Sequence, residues 1–128
     1  MSWQYFNYET DKMLACSCCG VQGMDEQFMS ILDTLRHDLG FPFIITSGYR
    51  CPNHNSVVSS TGATGPHTTG KAIDIGVYGD DAYKLVTAAQ DYGITGIGIK
   101  QNGSYQSRFI HLDILSRPEQ PRPWIWSY

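Results

Sequence analysis

The sequence predicts an α+β fold in which a small, mostly antiparallel sheet carries helices packed on one side and leaves its other face open. Three observations lead to this prediction: two segments with helical apolar spacing, four short apolar segments bounded by turn residues, and polar residues at alternate positions in two of those segments. A chain of 128 residues is the size of one domain, so we expect residues 1–128 to form a single one.

Apolar spacing predicts two helices. From Met24 to Leu39 the apolar residues recur at steps of three and four, and Gly40 follows the last of them. A second helix is expected to begin at about Asp80, a suitable N-cap, and to stop at Gly93. Both helices should pack on the same side of the sheet.

Four strands are predicted between and after the helices, at residues 42–47, 72–77, 96–99 and 109–115. Residues 52–70 are rich in Ser, Thr, Gly, Pro and Asn, which predicts a long loop with at most a short helix around 55–59. A loop of this length is usually functional. The proline-containing tail, residues 116–128, is expected to lie extended over the body with Trp124 and Trp126 as anchors.

Composition argues against several classes of protein. A hydrophobic content of 41% against 16% charged residues is typical of a globular protein and not of a disordered one. The net charge of −3 argues against nucleic acid as a partner, and no apolar stretch reaches the roughly 18 to 20 residues of a transmembrane segment. The N-terminal stretch lacks the features of a signal peptide, so we expect synthesis in the cytoplasm, and we expect a monomer.

The four cysteines are Cys16, Cys18, Cys19 and Cys51. A structural zinc site usually takes two pairs of ligands, each pair separated by two to four residues, and this spacing does not supply two such pairs. Free thiols in a turn are therefore the favoured interpretation. A second metal site and a disulfide from Cys51 to the N-terminal cluster are the alternatives.

Polar residues share one face of two predicted strands. Because successive side chains of a strand point to opposite faces, Asp74 in strand 72–77 points away from the isoleucines on either side of it. In strand 109–115, His111 and Asp113 likewise lie opposite the apolar residues. Two adjacent strands would therefore present a carboxylate and an imidazole side by side, on a face that small neighbouring residues keep open.

His67 lies at the end of the long loop with six residues between it and that aspartate, and the chain can fold back over Gly70 so that both side chains reach one ion. Taken singly, such residues are more often surface or core residues than metal ligands. Together, His67, Asp74 and His111 form a zinc ligand set that leaves a fourth position for water, as catalytic sites do. The sequence thus predicts a zinc-dependent hydrolase with one Zn2+ per chain.

The sequence resembles the zinc D-Ala-D-Ala carboxypeptidase-like murein peptidases, which share a fold with the hedgehog signalling domain. The resemblance runs from about Tyr5 to Trp126, and the matching segments come in the family's order: Ser47-Gly48-Tyr49-Arg50, His67-x-x-Gly70-x-Ala72-x-Asp74, Gly96-x-Gly98 and Phe109-Ile110-His111-Leu112-Asp113. It implies that His67, Asp74 and His111 hold zinc in a cleft on the open face, and that Arg50 faces this cleft.

Arg50 follows the first predicted strand, where its guanidinium could clamp a terminal carboxylate or stabilise an oxyanion. A structural salt bridge is the alternative. Ser47, Tyr49 and His54 are candidates for the substrate-binding wall, although Ser47 and Tyr49 could equally belong to the scaffold.

The general base departs from the family's pattern. Several members place a glutamate or histidine two or three residues before the last ligand, where this sequence has Phe109 and Arg108. Asp113, two residues after His111 on the same strand face, is the candidate catalytic residue. It could accept a proton from water or hold His111 in orientation, and both roles stay open.

The resemblance implies a zinc metallopeptidase that cleaves peptide bonds in the stem or cross-bridge of bacterial peptidoglycan, as a D,D-carboxypeptidase or an endopeptidase. The small size and the lack of a signal peptide resemble a phage endolysin, which reaches the cell wall once the inner membrane is open. Two alternatives remain: a metal-dependent dipeptidase or amidase acting on small peptides, and a non-catalytic, zinc-containing binding domain.

Overall fold

The computed structural model describes residues 3–128, and within them five strands form one mixed sheet. The strands are β1 (Ile44–Ser47), β2 (Ala72–Gly76), β3 (Gly96–Lys100), β4 (Phe109–Asp113) and β5 (Trp124–Ser127), in the spatial order β1-β2-β4-β3-β5. Only β3 and β5 pair in parallel, and the other neighbours are antiparallel. The predicted α+β fold with a mostly antiparallel sheet is confirmed.

Three α-helices accompany the sheet within residues 3–128: α1 (Glu26–Leu39), α2 (Pro52–Val58) and α3 (Gly79–Ala89). The carboxylate of Asp25 caps α1 by accepting a hydrogen bond from the Phe28 amide, and Gly40 ends the helix with a positive φ of 77°. None of these helices has the length and apolar content needed to cross a bilayer.

The predicted N-cap of α3 is wrong. The helix begins at Gly79, so its N-cap is Tyr78, and Asp80 lies inside the first turn. There its carboxylate is favoured by the positive end of the helix dipole, which explains why the sequence suggested a helix start so close to the true one. A short 3-10 turn, Gln90–Tyr92, continues the chain to Gly93.

One face of the sheet forms the hydrophobic core. Ile73 and Ile75 of β2 and Ile110 and Leu112 of β4 are fully buried and belong to one cluster with buried residues of α1 and α3. The expectation that both long helices pack on one side of the sheet is confirmed. Because side chains alternate along a strand, the residues between these apolar positions face the opposite side.

The opposite face carries a row of paired residues that crosses the sheet. Asp74 pairs with His111, which pairs with Gly98, which pairs with Trp126. At the other end of the row, Ser47 pairs with Asp74 after a one-residue bulge in β1. The backbone register alone therefore brings two of the predicted metal ligands next to each other.

Glycines in β3 make room for side chains of this polar face. A Cβ atom added at Gly98 would lie 2.6 Å from the indole nitrogen of Trp126, and one added at Gly96 would overlap the carboxylate of Asp113. Glycine is thus required at both positions because there is no room for a Cβ atom, and not because the backbone adopts a positive φ. In consequence Trp126 packs over the strand and reaches His111, with their ring centroids 5.0 Å apart.

The tail differs from the prediction. It does not merely lie over the body, because Trp124–Ser127 adds β5 to the edge of the sheet beside β3. Trp126 is a partly buried contact as expected, but Trp124 is 54% exposed and does not anchor the tail. Within the long loop, the short helix expected around residues 55–59 is α2, which begins three residues earlier at Pro52.

Truncation of a buried isoleucine should cost more stability than truncation of an exposed one. Ile73→Ala should lower the free energy of unfolding by about 2 to 5 kcal/mol, because Ile73 is fully buried and its loss leaves a cavity. Ile44→Ala, in the adjacent strand but 64% exposed, should cost less than about 1 kcal/mol. Urea unfolding of both variants measures the difference, and equal losses would contradict this assignment of the two faces.

Candidate metal centre

His67, Asp74 and His111 converge on one point of the polar face. His67 Nε2 lies 3.3 Å from Asp74 Oδ1, and His111 Nδ1 lies 3.0 Å from the same oxygen. All three residues are buried, and the three potential ligand atoms lie within 4.8 Å of one another. The structure therefore brings together the three ligands predicted from the sequence, in a group that could hold a metal ion.

Hydrogen bonds on the far side of each ring determine which nitrogen is free. His67 Nδ1 lies 2.8 Å from the carbonyl oxygen of Gly48, which can only accept, so Nδ1 carries a proton and Nε2 is the nitrogen left to bind a metal ion. His111 Nε2 lies 2.8 Å from a carboxylate oxygen of Asp113, which leaves Nδ1 of His111 as the ligand atom. Two imidazole nitrogens and one carboxylate oxygen fit zinc.

Charge complementarity holds these three side chains together. Burial by itself would raise the pKa of Asp74, but hydrogen bonds with His111 and His67 outweigh it and lower this pKa below its usual range. Burial would likewise lower the pKa of His111, but hydrogen bonds with Asp113 and Asp74 raise it. Both pKa shifts favour an anionic Asp74 facing a protonated His111. A metal cation bound at this point would take the place of that proton.

Asp113 is fully buried, and its carboxylate accepts four hydrogen bonds. Arg122 donates to both oxygens, from Nε to Oδ1 at 2.9 Å and from Nη2 to Oδ2 at 2.7 Å. The Leu115 amide and His111 Nε2 complete the set. Burial would raise the pKa of Asp113, but the hydrogen bonds from Arg122 and His111 lower it to about 2.

These contacts favour one of the two roles considered for Asp113. A carboxylate has about four acceptor positions, and here all of them are used, so none is left for a proton from water. Asp113 is also absent from the lining of the cleft. The geometry therefore supports a role for Asp113 in orienting His111 and gives no support to Asp113 as the general base.

Arg50 is held at the wall of the site. Its Nε donates to Ser47 Oγ at 3.1 Å, and its Nη1 donates to the amide oxygen of Asn55 at 3.0 Å. Its Nη2 lies 3.7 Å from Asp74 Oδ2, which is too long for a direct hydrogen bond. Two hydrogen bonds thus fix the guanidinium in place, and the N–H groups of Nη2 are still available as donors.

Ser47, Tyr49 and His54 do not line the cleft that contains the three ligands. They line a smaller neighbouring cavity of about 210 Å³. Ser47 fixes Arg50, and Tyr49 packs against Gly23 and donates its amide to Leu14 O. The sequence-based proposal of a substrate-binding role for these three residues thus gains no support from their positions, which are those of scaffold residues.

The cleft over the ligands has a volume of about 570 Å³. Its walls come from the loop before His67, from Phe109 and from the tail, including Trp124, Trp126 and Tyr128. Arg122 also lines it and was missed by sequence reasoning. A buried aspartate on a strand requires a cationic partner, but nothing local identifies which arginine of the chain supplies it.

Because Asp113 holds His111 in orientation, replacing it should weaken metal binding. Asp113→Asn should weaken zinc affinity by about 10- to 100-fold, because the amide holds His111 less firmly. Competition with a chromogenic chelator measures the affinity, and Asp91→Asn, at an exposed position of the same residue type, is the matched control. Unchanged affinity combined with lost turnover at saturating zinc would instead assign Asp113 as the base.

The comparisons with known proteins agree with this geometry. The family described as Peptidase M15 matches residues 5–113, which include all three ligands and stop short of Arg122 and β5. No curated protein and no solved structure matches the chain. The match covers most of the chain and confirms the resemblance to zinc D-Ala-D-Ala carboxypeptidase-like enzymes. The chain therefore belongs to the peptidase M15 family, a family of metallopeptidases.

Proposed function

We propose that this protein is a zinc-dependent peptidase that cleaves peptide bonds of bacterial peptidoglycan, as a D,D-carboxypeptidase or an endopeptidase. The observation that carries the proposal is the convergence of His67, Asp74 and His111 in a cleft, in a chain of the peptidase M15 family. We propose further that residues 1–128 act as one domain at the cell wall, as a phage endolysin would.

The shape of the cleft supports a peptide as substrate. Its volume of about 570 Å³ lies within the range of ligand pockets, roughly 300 to 1,000 Å³. Aromatic side chains at Trp124, Trp126 and Tyr128 line this cleft together with Arg50. Such a cleft offers apolar contact along a short peptide and a fixed cation for one of its carboxylates or for a reacting carbonyl oxygen.

Zinc bound by His67, Asp74 and His111 would supply Lewis acidity, which activates both a scissile carbonyl and water. The chain's own residues supply the geometry. Gly48 and Asp113 orient the two imidazole rings, and Trp126 covers the edge of His111. Arg50 offers the Nη2 donors toward the position where negative charge develops on the substrate.

Defined muropeptides test the proposed reaction. The zinc-loaded protein should release D-alanine or separate cross-linked stems, which mass analysis of the products detects. Treatment with a chelator should abolish product formation and added zinc should restore it, because the proposed reaction depends on the Lewis acidity of the metal. His67→Ala should be inactive under all conditions, while His37→Ala, on α1 at the far side of the sheet, should retain activity.

Arg50→Lys tests the guanidinium. A lysine keeps the charge but cannot bond simultaneously to Ser47, to Asn55 and to a substrate oxygen. If Arg50 stabilises the reacting carbonyl, kcat should fall by about 100-fold with zinc content unchanged. Arg36→Lys on α1 is the matched control, and a kcat equal to that of the control would remove Arg50 from this role.

One observation favours a second candidate, a zinc-containing binding domain without catalysis. Among residues 3–128, the lining of the cleft contains no side-chain carboxylate besides that of Asp74, and all four acceptor positions of Asp113 are used. The positions that carry a base in several family members are Phe109 and Arg108. Zinc-dependent retention on peptidoglycan, with muropeptides and small dipeptides left intact across a wide pH range, would establish binding and exclude hydrolysis.

A further inference from the structure

A second cluster of metal-ligating side chains lies outside the cleft. The Sγ atoms of Cys16, Cys18, Cys19 and Cys51 all lie within 4.8 Å of one another. Cys18 Sγ is 3.5 Å from that of Cys16 and 3.3 Å from that of Cys51. In a tetrahedral site with zinc–sulfur bonds of about 2.3 Å, the sulfurs are roughly 3.8 Å apart. The two shortest sulfur–sulfur distances lie slightly below this value and all the others are at most 4.8 Å, so small shifts of the side chains would reach this spacing.

The sequence spacing supplies one ligand pair, and the path of the chain adds the second. Cys16 and Cys19 are separated by two residues, and the turn that joins them closes with a hydrogen bond from the Gly20 amide to Cys16 O at 2.8 Å. Gly20 has a positive φ of 74°, which glycine adopts without strain. Cys18 and Cys51 form the second pair, although 33 positions separate them in the sequence.

Backbone amides point at two of the sulfurs. The amide of Cys51 lies 3.3 Å from Cys16 Sγ, and the amide of His54 lies 3.4 Å from Cys51 Sγ. Donors aimed at sulfur stabilise the thiolate, which is the form that binds metal. Such donors around a group of ligands are also characteristic of built metal sites. The cluster therefore has its ligands and part of the support around them.

We propose that Cys16, Cys18, Cys19 and Cys51 bind a second zinc ion, in a closed structural site separate from the His67, Asp74 and His111 group. Four thiolates in a tetrahedral arrangement select zinc and leave no position for water or substrate. On binding, each thiol gives up its proton to solvent and becomes a ligand, with no change of oxidation state. The protein thus holds two zinc ions of different function.

The position of the cluster defines its structural role. Cys51 directly follows Arg50, and Cys16 lies two residues after Leu14, whose carbonyl accepts a hydrogen bond from the Tyr49 amide at 3.0 Å. Gly48, in the same segment, accepts the hydrogen bond that orients His67. The second zinc therefore ties the N-terminal segment to the segment that holds Arg50 and orients a ligand of the first site.

His67→Ala isolates the second site without changing any cysteine. Purified full-length His67→Ala, dialysed against a mild chelator under reducing conditions, should retain one equivalent of zinc by elemental analysis. Wild-type protein, reconstituted and desalted, should hold two. With cobalt(II) in place of zinc, His67→Ala should show thiolate-to-cobalt charge-transfer absorption, which His and Asp ligands do not produce.

Cysteine variants in the same His67→Ala background complete the test. Cys19→Ser, at an exposed position, removes one of the four thiolates and should reduce both the cobalt–thiolate absorption and the cobalt affinity, whereas Ser17→Ala in the same turn should change neither. The proposal is overturned if folded His67→Ala binds no metal while its four thiols react freely with a thiol reagent. It is equally overturned if intact mass shows a disulfide within the cluster in protein purified under reducing conditions.

Discussion

The antiparallel pairing of β2 with β4 places Asp74 directly opposite His111, and the candidate metal centre depends on this register. A slip of one residue would turn every side chain of β2 to the other face, placing Asp74 in the core and Ile73 in the cleft. The cost of exposing buried isoleucines therefore also enforces the geometry of the metal ligands. Stability and site geometry share one cause in this sheet.

The Asp113–Arg122 pair extends this constraint to the tail. Two buried charges are tolerable only when each is paired and hydrogen-bonded, and the bidentate contact with four filled acceptor positions meets this condition. Arg122 lies beyond the stretch that matches the family, yet it fixes the carboxylate that orients His111. The tail thus helps to hold a predicted metal ligand in place.

Sequence reasoning succeeded where the signal was local. The alternation around Asp74 and His111 is a property of single strands, so it correctly predicted that both would share a face. It failed where the answer depends on the path of the chain. Arg122 and β5 reach the site only because the tail returns to the edge of the sheet, and the cysteine cluster requires Cys51 to meet a turn far away in sequence.

The C-terminal strand also has a practical consequence for handling the protein. Tyr128 lines the cleft, and β5 forms the sheet edge with only β3 as its partner. An affinity tag joined directly after Tyr128 would begin at a residue that lines the cleft and would compete with a substrate for space there. Trp3, at the other end of the described residues, donates a hydrogen bond to Ser30 of α1, which packs against the opposite face of the sheet. A tag joined on that side is the arrangement that leaves the cleft with the predicted metal ligands accessible.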